Sequence, residues 1–213
     1  MIGALLVLGC GGHGRVVADI ALERGYTRIA FLDDAPDAAE RAGGIEVLGP
    51  LARLAELAAE WPAAVAAVGE NVTRLALYRR LREAGFETPA LIHPSAVVSR
   101  RAELGPGVVV APLAVINVGA RIGHAAIVNT GAMIDHDCMI GAGSHIAPGA
   151  TLSGAVSVGE RAWLGTGCAV RQGIRIGEDV VVGVGAAVVS DLAAGMIYAG
   201  VPARPLLQQT SQI

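Results

Sequence analysis

From Val98 to Val188 every sixth residue is aliphatic, running Val98, Leu104, Val110, Ile116 and so on without a slip to Val182 and Val188. A period of six fits neither the 3.6 of a helix nor a sandwich, whose turn signals recur every 8 to 12 residues. Four positions beyond each aliphatic residue stands a small or aliphatic one, small at Ala114, Ala120, Ala126, Ala132, Cys138 and Ser144. Gly105, Gly123, Gly141, Gly159 and Gly177 recur every eighteen residues, which is three hexapeptides. The pattern predicts a triangular prism: a left-handed parallel β-helix of roughly five coils, with three short strands per coil, aliphatic side chains inward and permissive glycine corners. Coils stack about 4.8 Å apart, so residues eighteen apart are neighbours on one face.

The first 85 residues follow a different pattern. Residues 2–9 (IGALLVLG) form an apolar run, GCGGHG follows, and Val16, Val17, Ile20 and Ala21 then recur at helical spacing until Gly25. Ile29–Leu32 reads as a second strand closed by Asp33 and Asp34. Leu51, Leu54 and Leu57 suggest a helix, Val65–Val68 a third strand, and Leu75, Tyr78 and Leu81 a last helix. This is a small α/β (βαβαβ, Rossmann-like) unit with a parallel sheet, whose ligand edge is the carboxyl ends of its strands. The expected organisation is therefore an α/β nucleotide-binding domain over 1–85, a linker over 86–95, the prism over 96–192 and a tail over 193–213.

Composition narrows the partners. A net charge of −3 with scattered Lys and Arg offers no basic stripe for nucleic acid. The apolar start lacks a basic leader and ends in glycines, so neither a signal peptide nor membrane binding is expected, and a cytoplasmic location is. Cys10, Cys138 and Cys168 form no CxxC pair and read as reduced core residues; no metal is expected.

Two places carry chemistry. Gly9-Cys10-Gly11-Gly12-His13-Gly14 satisfies GxGxxG between a strand and a helix, with Asp33 nineteen residues after Gly14. That fingerprint also describes NAD binding, but three strands are too few for both halves of a dinucleotide fold, and a mononucleotide suits it better. Loop N–H groups at a helix start suit a pyrophosphate. The other place is the coil 129–146, NTGAMIDHDCMIGAGSHI, which gathers Asn129, Asp135, His136, Asp137 and His145. An imidazole flanked by carboxylates is a plausible base for deprotonating an amine near neutral pH. Gly154, eighteen residues after His136, falls one coil along on the same face, where a bare backbone N–H suits an oxyanion; a glycine serves a turn equally.

The motif N-T-x-x-x-I-[DE]-H-[DE]-C-x-I-G-x-x-S-H resembles the hexapeptide acyltransferases that acetylate nucleotide-linked amino sugars or sialic acid. The likeness implies acetyl-CoA as co-substrate, His136 as base, and Asp137 as the residue that raises its basicity. It implies Gly11, Gly12, His13, Asp33, Asp34 and Gly69 near the nucleotide-linked sugar, with Asn129 also on the substrate side. His145, Gly165, Thr166, Gly183 and Val184 are implied along the cofactor, although His145 serves equally as packing. The tail segment YAGVPARP is similar to the G-x-P-A-[KR] segment that flanks the cofactor in this family. A homotrimer with the active site shared between subunits is implied as well. Within the family the likeness leans toward members acting on GDP-perosamine, attacked at its C4 amine, and toward polysaccharide assembly.

Three alternatives stand beside that reading. Sialic acid O-acetylation uses the same base. A non-catalytic nucleotide-binding solenoid explains the core and the loop but leaves Asp135, His136 and Asp137 idle. A zinc enzyme of the carbonic anhydrase type needs an H-x4-H pair, and His124, His136 and His145 are spaced by 12 and 9.

Overall fold

Residues 2–206 are described by a computed structural model; Met1 and 207–213, the end of the expected tail, lie outside the described residues. The opening apolar run becomes β1 (Ile2–Leu8), followed by α1 (Gly12–Glu23), β2 (Tyr26–Leu32), a short α2 (Ala38–Arg41) and β3 (Glu46–Val47). A 3-10 turn over Leu51–Arg53 leads into α3 (Leu54–Leu57), then β4 (Ala63–Ala66) and α4 (Asn71–Glu83). The strands form one sheet in the order β3-β2-β1-β4, with β1 pairing in parallel to β2 and β4 and β2 in parallel to β3. Leu5 to Leu8 are all fully buried, the expected state of a central parallel strand covered on both faces. One layer holds Val7, Val17, Ile20 and Phe31; the other holds Leu6, Leu8, Trp61 and Leu81. The edge strand β3 was not legible in the sequence, because it is two residues long and lies between glycines with no apolar run.

The second half is the prism. Strands of two residues pair in parallel with those eighteen residues on, as in Ile122↔Ile140, Ile146↔Leu164 and Ile134↔Leu152. They build three walls, and their backbone ladders repeat at 2.7–3.0 Å, for example Gly123 N–H to Ile140 C=O at 2.7 Å and Ser153 N–H to Val170 C=O at 3.0 Å. The sixth-residue aliphatics and the small residues four beyond them share one buried core from Val108 to Val188. The left-handed parallel β-helix expected from the period is the fold observed.

Three features differ in detail. The glycines at 105, 123, 141, 159 and 177 do not occupy the left-handed region. They line one corner where coils pass too closely for a side chain: a Cβ on Gly141 would lie 2.5 Å from Glu160 N, and one on Gly123 2.6 Å from Ala142 N. Left-handed backbone falls at other turn positions, taken by Gly131 and Gly167 but also by Asp137 and Arg161. Second, the segment read as a linker contributes Leu91–Ile92, which pairs with Val109–Val110 as the prism's first rung. Third, Ile197–Ala199 pairs with Val181–Val182 and continues that wall past the end of the period.

Adding a methyl at the tight corner forces the coils apart. Gly141→Ala is expected to cost about 1–3 kcal/mol, read from the urea midpoint, whereas Gly3→Ala, with open space around it, changes little.

Candidate active site

The prism has three corners per coil, and the predicted site residues that belong to it cluster at or beside two of them. One corner carries Asp135, His136 and Asp137. The imidazole Nδ1 is 2.9 Å from Asp137 Oδ2, and the His136 side chain is 54% exposed. Because Asp137 accepts the Nδ1 proton, Nε2 keeps its lone pair. The Asp137 hydrogen bond raises the His136 pKa above the ordinary histidine value, and the Asp135 charge adds to it. Asp137 itself sits at φ 59°, a left-handed conformation that aspartate tolerates better than most residues.

Gly154 meets His136 where the eighteen-residue ruler puts it. A Cβ there would overlap the imidazole, lying 2.5 Å from Cε1 and closer still to Nε2. Glycine at 154 therefore makes room for the ring. Among the described residues its N–H donates to no backbone or side-chain acceptor. The equivalent turn positions Val118 and Gln172 leave their N–H groups free in the same way, so the turn creates the free donor and His136 gives it a chemical setting.

The next corner back, across the strand Met133–Ile134, carries Asn129. Its Oδ1 accepts from Thr130 N–H at 2.8 Å, which turns Nδ2 toward His145 Nε2 at 3.0 Å. His145 then carries its proton on Nδ1, a buried atom with no partner, as is His13 Nε2. The two rings lie 6.4 Å apart, so the glycine loop of the α/β unit faces the prism wall here. Burial lowers both histidines, His13 to about 4 and His145 to about 3, with the nearby Arg74 charge as the next cause.

The remaining predicted residues are dispersed. Gly11 and Gly12 stand at the start of α1. Asp33 is engaged locally: Oδ2 accepts from Cys10 N–H at 2.7 Å and Oδ1 from Ala35 N–H at 2.8 Å. Asp34 Oδ1 accepts from Leu51 N–H at 2.8 Å. Thr166 and Val184 are exposed on the Asn129 corner, linked by Gly185 N–H to Thr166 C=O at 2.9 Å. Gly165 has a packing reason, since a Cβ would lie 2.5 Å from Val182 C=O, and Gly183 would press on Ala199.

Sequence reasoning missed Arg74. The side chain is 1% exposed and carries no carboxylate partner; its N–H groups bond the carbonyls of Val68, Gly69, Ala125, Gly143 and Ser144 and the Asn71 side chain. Arg74 thus joins α4 to two prism coils, helped by Asn71 Nδ2 on Arg161 C=O at 2.8 Å and by Tyr78 stacked on His124. The only trace in the sequence is its place on the helix face of Tyr78, one turn before it.

Comparison with known proteins follows this geometry closely. Residues 4–81 match the PglD N-terminal domain, and 119–154 match the bacterial transferase hexapeptide family of six repeats. The acetyltransferase domain of PglB from Neisseria gonorrhoeae FA1090, in complex with acetyl coenzyme A, superposes with a TM-score of 0.89 at 41% identity, covering 95% of this chain and 98% of that one. A histidine mutant of perosamine N-acetyltransferase from Caulobacter crescentus, in complex with CoA and GDP-perosamine, superposes with a TM-score of 0.90 at 39% identity, covering 98% and 99%. UDP-N-acetylbacillosamine N-acetyltransferase of Bacillus subtilis (strain 168) is 43% identical over 105 residues, 47% of this chain; the aligned stretch spans about half of that relative, 48%.

The two half-buried, desolvated histidines make stability pH-dependent. An unfolded histidine titrates near 6.5, so from pH 6.5 down to about 4 for His13 and about 3 for His145 the unfolded chain takes up protons that the folded chain refuses. Their contribution is complete above pH 6.5 and declines as pH falls through that window. The urea midpoint of the wild type should drop on acidification, and His13→Gln should drop less steeply; parallel curves would contradict the assignment.

Proposed function

Because the chain belongs to the family of sugar N-acetyltransferases that join a PglD N-terminal domain to a hexapeptide-repeat prism, we propose that it moves acetyl from acetyl-CoA to the C4 amine of a nucleotide-diphospho 4-amino-deoxysugar. The carrying observation is His136, bonded through Nδ1 to Asp137 with its Nε2 set over a side-chain-free turn at Gly154. GDP-perosamine is the acceptor best supported, since the relative from Caulobacter crescentus is a perosamine N-acetyltransferase seen with that sugar. The product would feed bacterial surface polysaccharide.

In this reading the amine lone pair attacks the thioester carbonyl carbon. The C–N bond forms and negative charge collects on the carbonyl oxygen, for which the free N–H of Gly154 is the donor. His136 Nε2 accepts the amine proton, the C–S bond breaks, and the proton passes to the departing thiolate, giving the amide and CoA thiol. Asp137 holds the imidazole in the required tautomer and stabilises its protonated form. No covalent enzyme intermediate forms. His145, Gly165, Thr166, Gly183 and Val184 are assigned to acetyl-CoA. Gly11, Gly12, His13, Asp33, Asp34, Gly69 and Asn129 are assigned to the nucleotide-linked sugar, a reading supported by the unpartnered buried nitrogens of His13 and His145, whose rings lie 6.4 Å apart.

The layout favours an assembly. The His13, His145 and Asn129 group occupies one corner and His136 the next, with the strand Met133–Ile134 of a prism wall between them. A sugar held at the loop of one chain is better placed to meet His136 of another. We therefore propose a homotrimer with each site made by two subunits. Exposed Val97 and Met133 on that intervening wall supply apolar surface for it. Among the described residues no helix is long and apolar enough to cross a membrane.

CoA thiol release with GDP-, UDP- and dTDP-linked 4-amino sugars, beside free sialic acid, tests the activity. GDP-perosamine should turn over, and His136→Ala should lose about 100-fold or more. Activity should rise with pH along a limb set by His136, and Asp137→Asn should move that limb to lower pH. Turnover with sialic acid alone would replace this reading by O-acetylation. For the shared site, His136→Ala and His13→Ala chains, each impaired alone, should recover activity when refolded together; no recovery would place the whole site within one chain.

A further inference from the structure

The catalytic turn is built on the turn beneath it. Asn117-Val118-Gly119 lies one coil below Asp135-His136-Asp137, and each residue has a distinct relation to its counterpart. Asn117 Nδ2 donates to Asp135 Oδ1 at 2.9 Å. Val118 C=O accepts from Asp137 N–H at 3.0 Å. Gly119 sits at φ 74°, and a Cβ there would also overlap the Asp137 carboxylate. Asp135 Oδ1 also caps the backbone N–H of His136 at 2.8 Å.

From this arrangement we infer that Asn117 is a positioning residue for His136, acting through Asp135. Asn117 holds the Asp135 carboxylate in one rotamer, so that a single oxygen fixes the backbone at His136 while its charge stays beside the imidazole. The inference rests on His136 being the base and adds a residue outside the N-T-x-x-x-I-D-H-D motif. Two donors on one oxygen keep Asp135 ionised, its pKa lowered first by the Asn117 bond and then by the His136 N–H. The charged groups around His136 are then few. Asp135 and Asp137 flank it, the turns directly below and above present Asn117, Val118, Gly119 and Ser153, Gly154, Ala155, and the next turns out carry Arg100, Arg101 and Arg171.

Two variants and two readouts test this. Asn117→Leu removes the donor at similar volume; Asn117→Asp keeps the shape but sets a like charge against Asp135. In Asn117→Leu, kcat should fall roughly tenfold with KM little changed, because the base is misplaced while the binding groups are untouched. The His136 ring titration, followed by NMR and assigned by its loss in His136→Ala, should move to lower pH as the Asp135 charge swings away. In Asn117→Asp it should move to higher pH, as should the acidic limb of kcat. A merely structural Asn117 would lower the melting temperature and leave the His136 titration in place. That result, or a loss confined to KM, overturns the inference. If the wild type acetylates no acceptor, the function proposed above fails, yet the NMR titrations still decide whether Asn117 acts on His136.

Discussion

Everything in this molecule depends on the parallel ladder between residues eighteen apart. Each coil is held to the next by N–H to C=O bonds at regular intervals along three walls, with the aliphatic side chains pinned inside. A two-residue strand cannot stand alone, so the prism is stable only as a stack. The ladder imposes an exact register, and register turns a one-dimensional list of residues into a set of vertical columns. Asn117, Asp135 and Ser153 form one such column; Val118, His136 and Gly154 form the next. The surroundings of His136 are a property of columns: it gains its space from Gly154, one coil on, and its support from the turn below.

The second half of the architecture hangs on a less regular device. Arg74 is a buried cation whose hydrogen bonds end on carbonyls and one amide rather than on a carboxylate. Such a group is costly to bury, and its cost is offset by satisfying backbone acceptors that the prism corner and the α4 loop would otherwise leave unpaired. The same charge adds to desolvation, the larger cause, in lowering the pKa of His13 and His145, so both rings stay neutral where the glycine loop meets the wall. Joint and electrostatics are thus one residue. The Glu70 side chain, accepting from Val72 and Thr73 N–H, keeps the start of α4 in place for it.

Two kinds of histidine emerge from these surroundings. His136 is exposed, bonded to a carboxylate and raised in pKa, the condition of a base. His13 and His145 are half-buried near a guanidinium and lowered in pKa, first by desolvation, the condition of neutral hydrogen-bonding groups. Such divergence between environments separates proton-transfer groups from binding groups more sharply than residue type does.

By itself the sequence determined the prism, its core and its register, because burial of one aliphatic residue in six repeats sixteen times and admits no competing frame. That register alone brings Gly154 to His136. The opening strand-loop-helix was legible for a similar reason, a strong apolar run followed by glycines. What the sequence left dark were features made by non-repeating contacts: the edge strand at Glu46–Val47, the rung at Leu91–Ile92, and Arg74, whose six partners are drawn from three separate stretches of chain. The glycine corner shows the division most clearly. Its period was visible as spacing, but its cause was close passage between coils rather than a need for positive φ, and only the tertiary structure decides how near one backbone runs to the next.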